Sequence, residues 1–185
     1  MKQIDVENIG EKHSQMKIFA DSKEAALTAI MAALYAVVTW IVAPIAYGPL
    51  QFRVSEGLKG SVIKKKVLII SFIIGNALSN IFSPQAGIWE FVWMPFWNLI
   101  GGGACYLIAN KLTYTFKYKD GEYNLFYFVG AFIYALCIAF AVAFMLAFLF
   151  ALPFWLLFPL LLLPEVVLIV GLTPVMTRVM NEVAW

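Results

Sequence analysis

The chain has 185 residues, 63% of them hydrophobic and only 13% charged, with a formal net charge of +2. This composition excludes an ordinary soluble domain and points to an integral membrane protein. The near-neutral charge excludes a nucleic-acid binder that works through a basic surface.

Residues 1–22 are polar and lack the apolar core of a secretory signal. They are expected to form a cytoplasmic segment, with residues 23–185 as one transmembrane domain. Asp21 and Ser22 are capping residues ahead of the first apolar run, Ala25 to Ala46. "GPLQFRVSEGLKG" follows, and its Arg53 is expected to pair with Glu56 along one helix face. Leu58 to Ile63 is short, carries Lys59, and does not read as a span by hydropathy. The cluster Lys64–Lys66 leads into Val67 to Phe82, which "SPQAG" breaks. Ile88 to Ala109 is the next span. "NKLTYTFKYKDGEYN" reads as a polar loop, and Leu125 to Phe150 as a further span. Pro153 and Pro159 are expected to interrupt the chain before a last span, Leu160 to Met180, started or kinked by Pro164 and bent near Pro174.

Lysine and arginine bias sets the number of crossings. With a cytoplasmic N-terminus, Lys2, Lys12, Lys17 and Lys23 lie inside. A short crossing from about Arg53 to Ile63 also brings Lys64–Lys66, Lys111, Lys117, Lys119 and Arg178 inside. Five crossings cannot do so. The expected fold is therefore an all-α bundle of six transmembrane helices in the plasma membrane, both termini cytoplasmic. The polar second crossing must be wrapped by other helices or line a cavity.

Three acids remain at membrane depth or its outer edge: Glu56, Glu90 and Glu165. A carboxylate there is costly unless it is paired or wet. Pointing inward, they would line an outward-facing, negatively charged cavity. The alternative is that Glu90 and Glu165 serve as first-turn helix caps. Trp89, Trp93 and Trp97 share one helix face, and Glu90, Met94 and Asn98 a neighbouring one. Asn76 and Asn80 share a face on the preceding helix. Interfacial tryptophans are ordinary membrane anchors. Trp93 and Trp97 are also candidates to stack on a flat aromatic ligand, with carboxylates and amides at its polar edge. Ala25, Ala29 and Ala33, with Ala32 and Ala36, form a small-residue pattern suited to close helix packing, within the chain or against another subunit.

The single histidine, His13, lies in the polar N-terminal segment. There is no HExxH motif, no serine–histidine pair at membrane depth and no GxxxxGK[ST] loop. No catalytic residue, metal ligand or cofactor site is expected, and the chain is not expected to be an enzyme.

"ALYAVVTWIVAPIAYGPLQFRVSEGL" closely resembles the QueT family of queuosine-precursor transporters. "GNALSNIFSPQAGIWEFV" and "PEVVLIVGLTPVM" resemble two further stretches of that family. The resemblance implies a six-helix substrate-binding S component of an energy-coupling factor (ECF) transporter. It implies partners too: a transmembrane coupling subunit and two ATPases, docked on the alanine face of the first helix. The substrate it implies is a 7-deazaguanine base. Glu56, Glu90 and Glu165 would accept its N–H donors and pair its aminomethyl cation. Arg53 would orient Glu56. Asn76, Asn80 or Asn98 would reach the carbonyl, Trp93 or Trp97 would stack, and the loop from Tyr47 to Phe52 would act as a lid. The family usually carries aspartate where Glu90 aligns, and "WMPFWN" departs from its usual small and threonine residues. Other readings are an S component for another nutrient such as a vitamin, a membrane scaffold without transport, and a stand-alone proton-coupled carrier.

Overall fold

The computed structural model describes residues 19–47, 51–84, 86–118 and 121–183. Most of the N-terminal segment expected to be cytoplasmic, and the centre of the expected Tyr47–Phe52 lid, lie outside these residues.

Helix α1 (Ser22–Ile41) opens on a reciprocal cap. Asp21 accepts from the Glu24 amide at 2.8 Å, and Glu24 accepts from the Ala20 amide at 2.9 Å. A short helix α2 (Ala43–Ala46) follows, with Pro44 in its first turn. Next comes a ten-residue 3-10 helix, Val54–Ile63, then α3 (Leu68–Ser79) with a 3-10 turn at Asn80–Phe82. A π turn, Trp89–Trp93, runs into α4 (Met94–Lys111). Strands β1 (Thr115–Tyr118) and β2 (Gly121–Asn124) pair antiparallel, with Phe116 opposite Tyr123. The stretch expected to be a polar loop is therefore a hairpin. Its sequence signal is the alternation of aromatic and polar residues from Tyr114 to Tyr118. Helix α5 (Leu125–Phe150) is capped by the Asn124 side chain, which accepts from the Phe126 amide.

The last helix corrects the expected boundary. It starts at Phe154, after Pro153, and runs as α6 (Phe154–Glu165), a π turn (Val166–Val170) and α7 (Gly171–Glu182). Pro159 and Pro164 lie inside it, as does Pro174. In apolar surroundings neighbouring helices and local widening accommodate the bonds that proline removes. The π turn directly after Pro164 is such a widening.

Among the described residues, four helices are long and apolar enough to cross a membrane: Ser22–Ile41, Trp89–Lys111, Leu125–Phe150 and Phe154–Glu182. Leu68–Phe82 is a shorter apolar helix. This is an all-α membrane architecture. The polar 3-10 helix is sealed among the others. Ser55, Glu56, Gly57 and everything from Lys59 to Ile63 is buried. Gly57 and Gly60, one 3-10 turn apart, form a smooth strip where the C-terminal helix lies. A side chain at Gly57 would overlap Leu172, and a Cβ at Gly60 would stand 3.1 Å from the Thr173 Cα.

Side-chain bonds show which helix ends meet. At one end, the start of α1 and Lys65 line a common cavity, Lys64 Nζ bonds the Tyr127 hydroxyl, and Asn110 Nδ2 bonds the Ile63 carbonyl. At the other, the Trp40 indole and the Tyr47 hydroxyl both donate to the Ser79 carbonyl.

The five alanines do not form one surface. At 3.6 residues per turn they spread over about 100° of α1. Ala32 and Ala36 are buried against α3, while Ala29 and Ala33 are exposed. Gly75 permits the close approach, since a Cβ there would stand 2.9 Å from the Ala32 carbonyl oxygen. Gly75→Val is expected to cost about 1–3 kcal/mol and to lower the melting temperature in detergent. Gly103→Val, at a site with no neighbour within 4 Å of the added Cβ, is expected to leave it unchanged.

Candidate functional site

A 3-10 helix repeats every three residues, so side chains at i and i+3 eclipse. Arg53, Glu56 and Lys59 are spaced by three and form one straight column of alternating charge. At about 2 Å of rise per residue, each step descends about 6 Å into the bundle. All three are buried, Lys59 completely.

At the top of the column, Arg53 joins three elements. Its Nε donates to the Ala46 carbonyl at 3.3 Å, its Nη1 donates to Asn80 Oδ1 at 3.0 Å, and its Nη2 lies 3.7 Å from Glu90 Oε1. The guanidinium also sits over the Tyr47 ring, 5.1 Å from its centre. Its ion-pair partner is thus Glu90, not Glu56 as the helix-face reading expected. The reason is that Lys59, one 3-10 turn further on, takes Glu56. Ser83 donates to the same Glu90 oxygen at 2.8 Å. Asn80 Nδ2 donates to Asn76 Oδ1 at 3.3 Å, and Asn76 Nδ2 to the Tyr35 hydroxyl at 3.4 Å. The two asparagines expected on one face are both fully buried and bonded to each other.

Lower in the column, Glu56 pairs with Lys59 and accepts from the Tyr35 hydroxyl. Lys59 Nζ lies between two aromatic faces, 5.6 Å from the centre of Tyr35 and 5.3 Å from that of Tyr134. The Glu165 carboxyl lies within reach of Glu56. It sits mid-way along the continuous C-terminal helix, at the edge of a π turn, so it is not a first-turn cap. Glu90, by contrast, does lie in the first turn of its helix. Asn98 accepts from the Tyr134 hydroxyl at 3.1 Å and donates to the Met94 carbonyl at 2.9 Å, one layer behind Lys59.

The cluster therefore holds three carboxylates, Glu56, Glu90 and Glu165, against two cations, Arg53 and Lys59. Glu90 Oε2 and Glu165 Oε2 are buried and have no hydrogen-bond partner. Buried polar atoms are rarely left so. The cluster is rich in hydrogen-bond acceptors and holds one more carboxyl group than cations, which suits a ligand that brings N–H donors and a positive charge. No grouping of metal-ligating side chains occurs among the described residues.

The tryptophans are placed elsewhere. Trp89, Trp93 and Trp97 stack edge to face along their own helix and pack against Phe140, Phe144 and Phe148 of α5. The Trp93 indole donates to the Ala141 carbonyl at 3.0 Å. The neighbouring face, Glu90, Met94 and Asn98, is the one turned inward and buried. Stacking of Trp93 and Trp97 on a ligand is thus replaced by stacking on α5. Trp97 alone keeps a buried, unpartnered N–H.

Sequence reasoning missed Lys59, Tyr35, Tyr134 and Ser83. The three-residue spacing of Arg53, Glu56 and Lys59 was the available signal for the first. Nothing marks the tyrosines, which stand in apolar helices like any core aromatic. Arg53→Lys is expected to destabilise the protein by roughly 1–3 kcal/mol, because one ammonium cannot replace a planar fork bonded in three directions. Thermal unfolding in detergent checks it.

Comparison with known proteins places the chain. The QueT transporter family matches over residues 25–182. The queuosine precursor transporter QueT of Lactococcus lactis subsp. cremoris (strain MG1363) is 38% identical over 86 residues, covering 45% of this chain and 45% of that protein. The alignment thus spans less than half of that relative's length. No solved structure matches.

Proposed function

The chain belongs to the QueT transporter family, and from that premise we propose that it is the substrate-binding membrane subunit of an ECF-type importer for a queuosine precursor. It captures a 7-deazaguanine base from outside and hands it inward with a separate coupling subunit and two ATPases. The observation that carries this reading is the buried cluster with one surplus carboxylate and two unpartnered carboxylate oxygens. A guanine-like edge offers a ring N–H and an exocyclic amine as donors, and the aminomethyl group adds a cation. Charge-assisted hydrogen bonds of this kind are the strong ones.

In this reading the wrapped 3-10 helix is the second of six crossings. The shared end of α1, Lys64–Lys65 and α5 is cytoplasmic, which agrees with the lysine bias. Asn76 and Asn80 form the wall beside Arg53, with Asn98 behind it. The exposed alanines, Ala29 and Ala33 with the half-buried Ala25, are the docking surface for the coupling subunit. Ala32 and Ala36 serve packing inside the chain.

The test is a titration of the purified protein in detergent with 7-aminomethyl-7-deazaguanine, its 7-cyano analogue, queuine and guanine, followed by tryptophan fluorescence and thermal shift. Binding of a deazaguanine in preference to guanine is expected. Silence from a folded sample with all four would overturn the assignment.

A further inference from the structure

Gln51 has no part in any of the interactions described so far. It opens the stretch that leads into Arg53, and its φ is 45°, in the left-handed region that residues with a Cβ rarely adopt. Such strain persists where surrounding structure holds it, and it concentrates at ligand-binding positions. The residue is only 6% exposed, and its carboxamide Oε1 is buried without a hydrogen-bond partner. A long polar side chain held in a strained backbone, with its acceptor empty, contributes nothing evident to stability.

Its place in the chain sets it beside the cluster. Gln51 is buried, Phe52 half-buried, Arg53 buried and Val54 exposed. Gln51 stands two residues before Arg53, so at most about 7 Å of backbone separates the two, and it is buried beside the place where Asn80 and Glu90 meet the guanidinium. The free acceptors of the cluster are carboxylate oxygens, and an ionised carboxylate has no donor to offer. A carboxamide carries acceptor and donor side by side. A lactam carries N–H and C=O side by side, and the two match edge to edge.

We propose that Gln51 is the specificity-determining residue that reads the lactam edge of the base, its oxygen accepting from the ring N–H and its amide donating to the adjacent carbonyl. The inference rests on the deazaguanine reading above. It narrows that reading: the ring N–H goes to Gln51 and not to a carboxylate, the carboxylates keep the exocyclic amine and the aminomethyl cation, and Gln51 tells a 6-oxo base from a 6-amino one.

The experiment compares wild type, Gln51→Gly and Gln51→Asn, each as the full chain in detergent. The probes are 7-aminomethyl-7-deazaguanine and its 6-amino counterpart. Wild type is expected to prefer the 6-oxo base. Gln51→Gly relieves the positive φ, so its melting temperature should hold or rise. Its affinity for the 6-oxo base should fall roughly 10- to 100-fold, and the preference should collapse. Gln51→Asn keeps a residue type that tolerates this backbone but shortens its reach, and the same loss is expected. If both variants fold and keep wild-type affinity and preference, the role of Gln51 is overturned while the transporter reading stands. If wild type binds no deazaguanine, both fall together.

Discussion

Glu165→Gln is expected to weaken binding of 7-aminomethyl-7-deazaguanine by roughly 100-fold or more while changing that of the 7-cyano analogue by less than about 10-fold. The first figure follows from removing one member of a buried charge pair, the second from weakening a single hydrogen bond. The difference between the ligands matters more than either value. Glu165 is the carboxyl of the cluster with no cation of its own: Glu90 has Arg53, Glu56 has Lys59, and Glu165 lies against Glu56 with its Oε2 unpartnered. Because no protein cation depends on it alone, the melting temperature should fall little or even rise. Calorimetric titration with both ligands checks the prediction. Equal losses for the two would mean that Glu165 reads the ring and not the cation.

Lys59→Met is expected to have the largest effect on stability. The substitution keeps the length of the side chain and its apolar packing between Tyr35 and Tyr134 but strips Glu56 of its cation. Breaking a buried pair from one side costs roughly 3–5 kcal/mol, since the other charge stays behind in a dry site. Replacing both members by uncharged residues of similar size is often close to neutral. The double variant Lys59→Met with Glu56→Gln is therefore expected to recover most of the lost stability and none of the ligand affinity. Chemical or thermal unfolding of the two single variants and the double one makes a complete cycle. Simple addition of the single losses would sink the idea of a paired column.

Part of this site was legible in the sequence because the rules for charge in a membrane are local. Glu56, Glu90 and Glu165 stood out as acids with nowhere cheap to go, and the Asn76–Asn80 pair followed from helical spacing. The four long apolar runs needed only hydropathy. What failed depended on the kind of helix. Read at 3.6 residues per turn, Arg53 and Glu56 are neighbours, and Lys59 drifts off their face. At three per turn they align, and Lys59 displaces Arg53 as the partner of Glu56. The π turns at Trp89–Trp93 and Val166–Val170 are equally silent in sequence, yet Glu90 lies within one and Glu165 at the edge of the other. Pro159 looked like a break because in water it would be one. Spacing put Ala32 and Ala36 on a face suited to close packing, but it shows which residues share a face and not whether α3 or another subunit covers it.

The sealed 3-10 helix also bears on how the protein is made. Its ten residues are too polar to enter lipid alone, since every buried charge must first find its partner. The strip of Gly57 and Gly60 is covered by Leu172 and Thr173, which the ribosome adds more than a hundred residues later. Contacts so distant along the chain close slowly. The polar helix is therefore expected to be seated last. Its segment must wait at the membrane surface until the C-terminal helix is inserted, and a chain stopped before Phe154 would carry an unfinished bundle with its charged column still outside.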